Sequence, residues 1–526
     1  MRVQLIHAPT YVNVDALSNN RPSLPLGLAY VAAALREAGH DVTVLDAIGL
    51  APTKLTPAKP LPVLGLTAQD LAERLDPDAR VVGITNMFTF AWPLVREVVR
   101  TVKTAYPDKI VIAGGENVTG MAEHCLETAP IDFIVAGEGE TSTVALLEAV
   151  ERGEQDFAKV EGLVFRKDGR LVRTATRARI RDLDSIPWPA WDLLDLDTYY
   201  GHRLIWGVDA GFTVPVLATR GCPYACTFCS SAMMWRRRWY SRNPERLVAE
   251  IEYLMETYGA TNFPFQDLTA ILRRDWIVAF CRELIRRGLK IRWQMPAGTR
   301  CEAIDSEVAR LMRKSGVLNI AFAPESGSAR MREQMGKHMS EEALMQAVKA
   351  SVRNGVPITA FMMVGQPDET WQDIRESIRL CRKLAIAGID DIGPGYFFPV
   401  PGTPLFDSLM AEGRIQLNDD FFATSIYATN LRLAEENNFS KRLSAKQLTL
   451  AKVLLILNFY LLSYALRPWR LIRVLWHGLR GVETSKLEGY LVTLRGRAVA
   501  AVRRCLGLSG RKERQTPETH SGEQPD

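Results

Sequence analysis

The chain has 526 residues, of which 47% are apolar and 24% charged, and a formal net charge of +5. That length exceeds what one core usually organises, so two or three domains are expected, and the composition excludes a collagen-like or wholly disordered chain. Eight cysteines are too few for a disulfide framework at this length, and MRVQLIHAP opens with no charged-then-apolar leader, so a reducing cytoplasm is the expected compartment.

Residues 1–150 alternate strand and helix signals. VQLIHA, VTVLDA, VVGITNM, IVIAGGE and DFIVAGEGE read as short apolar strands. LPLGLAYVAAALREAGH, WPLVREVVRTVKTAYP and MAEHCLETAP carry helical periodicity between them. This alternation predicts a parallel, doubly wound, Rossmann-like α/β sheet. Its ligand site should lie beyond the carboxyl ends of the strands, near Thr10, Asp46, Thr85, Gly114, Gly115, Glu138 and Gly139. The glycine-rich turn Gly137–Glu140 allows a ligand to approach the backbone closely. Residues 51–66 are rich in proline and read as a loop. Residues 151–205 read as a connector, with a hairpin turning at Asp168–Gly169 in LVFRKDGRLVRTA.

From residue 206 the alternation resumes. VPVLATR, NFPFQD, IRWQMPAG, NIAFAPE, ITAFMMVG and IGPGYFFP are candidate strands, with helical PERLVAEIEYLMETYG and DWIVAFCRELIRRG among the segments between them. Six such units over 206–415 predict a partial (β/α)6 barrel of TIM type, with its chemistry at the carboxyl ends of the strands. Residues 416–510 read as a helical region. The apolar run Val453–Leu466 is short for a membrane span and is expected as a buried helix. At about 100° per residue, LRPWRLIRVLWHGLR (466–480) puts Trp469, Ile472, Leu475, Trp476 and Leu479 on one arc. Arg467, Arg470, Arg473, His477 and Arg480 fall on the other. Such a helix either docks on a membrane surface or packs on the barrel with its arginines in water. No nucleic-acid recognition fold accompanies it, so no nucleic-acid partner is expected. Twelve Lys and Arg against three Glu fall between Arg467 and Arg514, which leaves the rest of the chain mildly acidic. Residues 511–526 are polar and predicted to be disordered.

Three cysteines fall within eight residues, in Cys222-Pro-Tyr-Ala-Cys226-Thr-Phe-Cys229, directly after the first barrel strand. Cys125, Cys281, Cys301, Cys381 and Cys505 are scattered and read as small buried hydrophobes. Clustered thiolates suit iron–sulfur clusters, zinc or copper(I). No fourth Cys or His lies close in sequence; His202 and Cys281 are the nearest. Three thiolates on a four-iron cube leave one iron open to a substrate. The competing reading is a zinc site completed by a distant fourth ligand.

The spacing Cys-x3-Cys-x2-Cys, with aromatic Phe228 before the last cysteine, resembles the signature of the radical S-adenosylmethionine (SAM) superfamily. The resemblance implies a [4Fe–4S] cluster on Cys222, Cys226 and Cys229 whose open iron chelates SAM. It also implies an external one-electron reductant, cleavage of SAM to methionine and a 5′-deoxyadenosyl radical, and hydrogen abstraction from a small-molecule substrate. Three later strings are similar to the family's SAM-contacting strand ends: FQDLT with Gln266 and Asp267, APESGS with Glu325 and Ser326, and FMMVGQPDET with Gly365. Arg300 is a further candidate. Helix capping competes as an explanation for Asp267 and Glu325, and a surface ion pair for Arg300.

A doubly wound domain ahead of such a barrel resembles the cobalamin-binding class of that superfamily. The strings PLGLAYVAAALREAGHDV, VVGITNM, IAGGENVTG and VAGEGET carry the likeness. It implies cobalamin against Thr10, Leu26, Gly27, Asp46, Thr85, Gly114, Gly115, Glu138 and Gly139. The Asp-x-His-x-x-Gly loop by which many cobalamin proteins ligate cobalt is missing, and His7 and His124 read as packed or solvated, so no histidine lower ligand is expected. The resemblance implies a C-methyltransferase working on an unactivated carbon of a hydrophobic or natural-product substrate held between the two domains. An oxidative cyclase or ring-rearranging enzyme with the same cofactors is the alternative. A non-catalytic iron–sulfur or zinc sensor with a membrane-docking tail is the alternative from another class.

Overall fold

A computed structural model describes residues 1–13, 16, 21–480, 488 and 495. Five apolar runs of the first 150 residues form parallel strands β1 (Arg2–His7), β2 (Asp41–Asp46), β3 (Val81–Thr85), β4 (Ile110–Gly114) and β5 (Phe133–Val135). Strands β6 (Leu163–Lys167) and β7 (Arg170–Arg173) complete one seven-stranded sheet in the order β7-β6-β5-β4-β3-β1-β2. Chain order reverses between β1 and β3, and ligands of such sheets bind at that switch point. Helices α1 (Leu26–Glu37) and α2 (Gly139–Glu151) pack over one face. The helix Trp92–Ala105 covers the other with an apolar stripe of Trp92, Val95, Val98, Val99 and Val102.

Two expectations shift here. The hairpin β6–β7 turns at Asp168 (φ 51°) and Gly169 (φ 75°), the left-handed pair its tight turn needs. Because β6 pairs with β5, the N-terminal layer runs past residue 150, and the hairpin shields what would be an open edge. Residues 51–66, expected as a loop, contain the short strands 55–56 and 63–64, which join 10–11 in a three-stranded patch. Ladder hydrogen bonds define these pieces, and no apolar period marks them.

The second layer begins with a hairpin of β8 (Thr219–Gly221) and β9 (Trp239–Ser241). Strands β10 (Asn262–Pro264), β11 (Arg292–Thr299), β12 (Val317–Glu325), β13 (Ile358–Val364) and β14 (Asp391–Tyr396) follow in a parallel sheet that keeps chain order. The extended segment around Val214 joins its edge through the parallel bridges Thr213↔Asn262 and Val216↔Phe265, which makes the sixth unit. The helices Pro244–Tyr258, Arg274–Arg287 and α3 (Trp371–Ala387) each stop on a left-handed glycine, Gly259, Gly288 and Gly388. One hydrophobic core runs from Leu26 and Tyr30 of α1 through Trp191 and Tyr199 of the connector into the barrel. The connector therefore fastens the two layers together.

Helix α4 (Ala445–Leu466) packs on α3 and β14 and buries Leu448, Leu455 and Phe459. It starts before the apolar run within it, at Ala445, and it is buried on one side only, with Lys452 and Ser463 on that side and Leu450, Leu457 and Leu461 exposed, where the run predicted a buried helix. Helix α5 (Pro468–Arg480) follows. The tail expected to be disordered lies outside the described residues.

Candidate functional site

Strand β8 ends at Gly221 with φ 91°. A Cβ there would stand 2.1 Å from the Arg238 carbonyl oxygen, so glycine is what lets β9 close against the chain as it enters the cysteine loop. Contacts on three sides hold that loop. The Thr227 amide donates to the Met335 carbonyl at 2.9 Å, and the Thr227 carbonyl accepts from the Leu405 amide at 3.1 Å. The Ser230 hydroxyl donates to the carboxylate of Glu116, which begins a short helix just after β4 of the first layer. Cys222, Cys226 and Cys229 are half-buried free thiols. Burial pushes the Cys229 thiol up to about 12. It raises Cys226 as well, against the pull of nearby Lys337. Binding iron would therefore release protons from this loop. Among the described residues no three His, Cys, Asp or Glu side chains converge as one metal ion requires. Three soft thiolates in one loop suit a [4Fe–4S] cube, which seats each on a different iron.

The strand ends around the loop carry the expected SAM residues. Glu325 closes β12 in a left-handed conformation (φ 64°), a strain that persists where the surroundings impose it. Its carboxylate meets Lys337 at 3.2 Å. Burial raises its pKa while Lys337 opposes the shift. Ser326 is buried, with its hydroxyl 3.3 Å from that of Ser377. Arg300 is itself buried and stacks 4.0 Å from the ring centre of Tyr224, inside the cysteine loop, and its guanidinium also forms the expected ion pair, with the exposed carboxylate of Glu302. Phe228 packs against the core. The Gly365 amide donates to Glu369 at 2.6 Å. Asp267 accepts from the Ala218 amide at 3.2 Å and the Thr219 hydroxyl at 2.6 Å, and burial pushes its pKa up to about 7. Its bonds clamp the strand that feeds the cysteine loop, and it caps no helix.

A cavity of about 1240 Å³, measured with its open mouth, lies between the two layers. Leu26, Gly27, Thr85, Gly114, Gly115, Glu138 and Gly139 line it from the sheet side, all of them expected cobalamin contacts. Leu217, Arg220, Met234, Trp235 and the expected SAM residue Gln266 line it from the barrel side. A Cβ placed on Gly27 or Gly137 would meet nothing within 4 Å, so bare backbone faces the space. Val3, Leu5, Val81, Ile112 and Val135 add apolar side chains to its lining. Bare backbone at the strand ends and apolar side chains beside it fit cobalamin, a broad macrocycle with a nucleotide arm.

Two expected contacts are corrected. Thr10 and Asp46 do not line the cavity. Asp46 ends β2, the edge strand, and its carboxylate is closed off by His7 Nδ1 at 2.8 Å and the Tyr199 hydroxyl at 3.2 Å. Thr10 sits in the three-stranded patch. His7 is thereby paired, and His124 packs its ring against Phe422; among the residues lining the cavity there is no histidine.

The rim also holds residues that sequence reasoning missed. Arg220, two positions before Cys222, pairs with Glu140 and at 3.2 Å with Glu138. It stands over the ring of Tyr30. Arg179 of the connector meets Glu138 at 2.7 Å and donates to the Trp235 carbonyl at 2.9 Å. All four charges are buried, and they balance two against two. The network binds the cysteine strand to the strand-end turn of the first layer. Its only sequence signals are the arginine of LATRGC and the acids of GEGE, which lie some 80 residues apart.

The profile of the radical SAM superfamily matches residues 216–381, and that of the B12-binding domain matches residues 21–147. An uncharacterized methyltransferase of Pyrococcus horikoshii is 31% identical over 419 residues, 78% of this chain and 84% of that protein. An anaerobic magnesium-protoporphyrin IX monomethyl ester cyclase of Cereibacter sphaeroides is 30% identical over 417 residues, 78% of this chain and 64% of its own length. Among solved structures, the radical SAM methyltransferase TsrM from Kitasatospora setae, with cobalamin and a [4Fe–4S] cluster bound, superposes with a TM-score of 0.66 at 17% identity, over 95% of this chain and 99% of that one.

Proposed function

The chain belongs to the radical SAM superfamily, in the class that carries a B12-binding domain, and from that premise we propose that it is a C-methyltransferase acting on an unactivated carbon of a hydrophobic small molecule. The observation that supports this most is the shared cavity: one wall is the strand ends of the B12-binding sheet, and the other includes Arg220, in the strand that runs into Cys222. A methyl source and a radical source can serve one carbon only if both open on the same enclosed space. When bound, the cluster, SAM and cobalamin supply an electron, a hydrogen-abstracting radical and a methyl group.

The chain's own residues hold and orient those groups. Cys222, Cys226 and Cys229 supply three thiolates to the cluster. Glu325, kept in a strained conformation and partnered by Lys337, presents a carboxylate group near the cysteine loop. Gln266 joins the two regions, because it follows β10 and also lines the cavity. Leu26, Leu217, Met234 and Trp235 give the cavity apolar walls, which keep water from a reactive radical. An external one-electron reductant, a cytoplasmic location and a lipid-like substrate belong to the same reading. So does a peripheral membrane contact through residues 466–480, which would bring the chain to a substrate that partitions into lipid. The similarity to the anaerobic cyclase supports a second reading, an oxidative cyclisation with the same groups. Anaerobic turnover separates the two. Methyl transfer predicts S-adenosylhomocysteine together with 5′-deoxyadenosine, and 5′-deoxyadenosine without S-adenosylhomocysteine would remove it.

A further inference from the structure

Helix α5 is turned the opposite way from an ordinary surface helix. Arg470 is 9% exposed, whereas Trp469 is 62% and Ile472 69% exposed. Arg467 donates to the carbonyls of Ala385 and Ile386 at 2.9 and 3.0 Å, and Arg470 to the carbonyl of Gly388 at 2.7 Å. Those carbonyls end α3, where a helix presents its negative pole and cations are favoured. A Cβ on Gly388 would stand 2.7 Å from the Arg467 guanidinium, so the glycine leaves room for this cap. Anchoring the arginine side inward leaves Trp469, Leu471, Ile472, Leu475 and Trp476 facing out. Helix α4 does likewise, with Leu450, Leu457 and Leu461 exposed along one stripe opposite buried Leu448, Leu455 and Phe459. Soluble monomers rarely show so many large apolar side chains together.

We propose that this pair of helices docks the enzyme on an anionic lipid surface, lying in the interface with Trp469, Ile472 and Trp476 inserted. Two tryptophans on the outer arc are the residues that settle at a membrane–water boundary. Helix α4 is long and apolar enough to cross a bilayer, but its packed side, with Lys452 and Ser463 on it, belongs to the protein body. The helices therefore lie on the surface without spanning it. Charge selects the lipid: beyond the anchored Arg467 and Arg470, ten Lys and Arg against three Glu fall between Arg473 and Arg514, a complement to anionic headgroups. The purpose of docking rests on the lipid-like substrate of the reading above; docking itself does not depend on the reaction.

The full-length enzyme is floated with vesicles of phosphatidylcholine alone and of phosphatidylcholine mixed with phosphatidylglycerol. The expected result is flotation with the mixed vesicles, weakened by salt and reduced about tenfold or more in W469S/I472S/W476S. Iron content and SAM cleavage should be unchanged in that variant, which shows that it folds. No flotation of the parent chain, or equal flotation of the variant, overturns the proposal. So does a dimer of the parent chain that the variant fails to form while neither binds vesicles, because the face would then join two copies. Flotation without S-adenosylhomocysteine formation sinks methyl transfer and leaves the docking face standing.

Discussion

The cysteine loop and the cavity between the layers make an instructive contrast. The loop collects its three thiols within eight residues, on one turn of chain after one strand. The cavity collects its walls from α1, four strands of the first sheet, the turn at residues 137–140 and the start of the barrel. A local site depends on spacing and survives much repacking. An assembled site depends on how two layers are held, here by four buried charges. The two should therefore fail separately when perturbed.

The largest effect is expected at the loop. Replacing Cys222, Cys226 and Cys229 together with alanine should reduce bound iron to background and abolish SAM cleavage, with the circular dichroism spectrum kept. Retained iron at the parental level would break the contrast at its local end. Next comes the clamp. Glu140→Gln leaves two buried arginines, Arg220 and Arg179, sharing the one carboxylate of Glu138, and should cost at most the roughly 3–5 kcal/mol seen when a buried pair loses one partner. The measure is the urea midpoint, and the Glu140→Gln, Arg220→Met double variant should recover part of the loss. Gly27→Leu sharpens the comparison further. It adds a side chain where a Cβ meets open space, so cobalamin content after reconstitution should fall severalfold while iron content stays.

The smallest effect is a pH dependence on α4. Burial pulls the Lys452 amine down to about 7, although it donates to the carbonyls of Ala428 and Asn430. A base with a lowered folded pKa binds fewer protons folded than unfolded between about pH 7 and its unfolded value. Stability should therefore rise as pH rises through that window. Lys452→Met should flatten the slope of the unfolding free energy between pH 7 and 10, by no more than a few kcal/mol in all. An unchanged slope removes the lysine as its cause.

Both layers were legible in the sequence because apolar strands alternate with helices, and the hairpin at Asp168–Gly169 was legible from its turn chemistry. The places of Thr85, Gly114 and Glu138 along the cavity followed from one rule about strand ends, and that of Gly27 from the resemblance alone. That rule failed at Asp46, because it does not say which strand will be the edge or that Tyr199 will cover it. The clamp of Arg220 with Glu140 was illegible, since nothing local tells which distant carboxylate an arginine will meet. Helix α5 shows the other limit. Periodicity separates Arg470 from Trp469, Ile472 and Trp476 as the structure does, whereas Arg480 stacks on Trp476 at the exposed end; which side faces the body was decided by the open carbonyls at the end of α3, and periodicity does not see those.

Elemental analysis of one anaerobically reconstituted sample, after incubation with hydroxocobalamin and removal of excess reagents, bears on both regions together. About four irons and one cobalt per chain are expected. One zinc with neither iron nor cobalt would contradict the reading of the thiols and of the cavity alike.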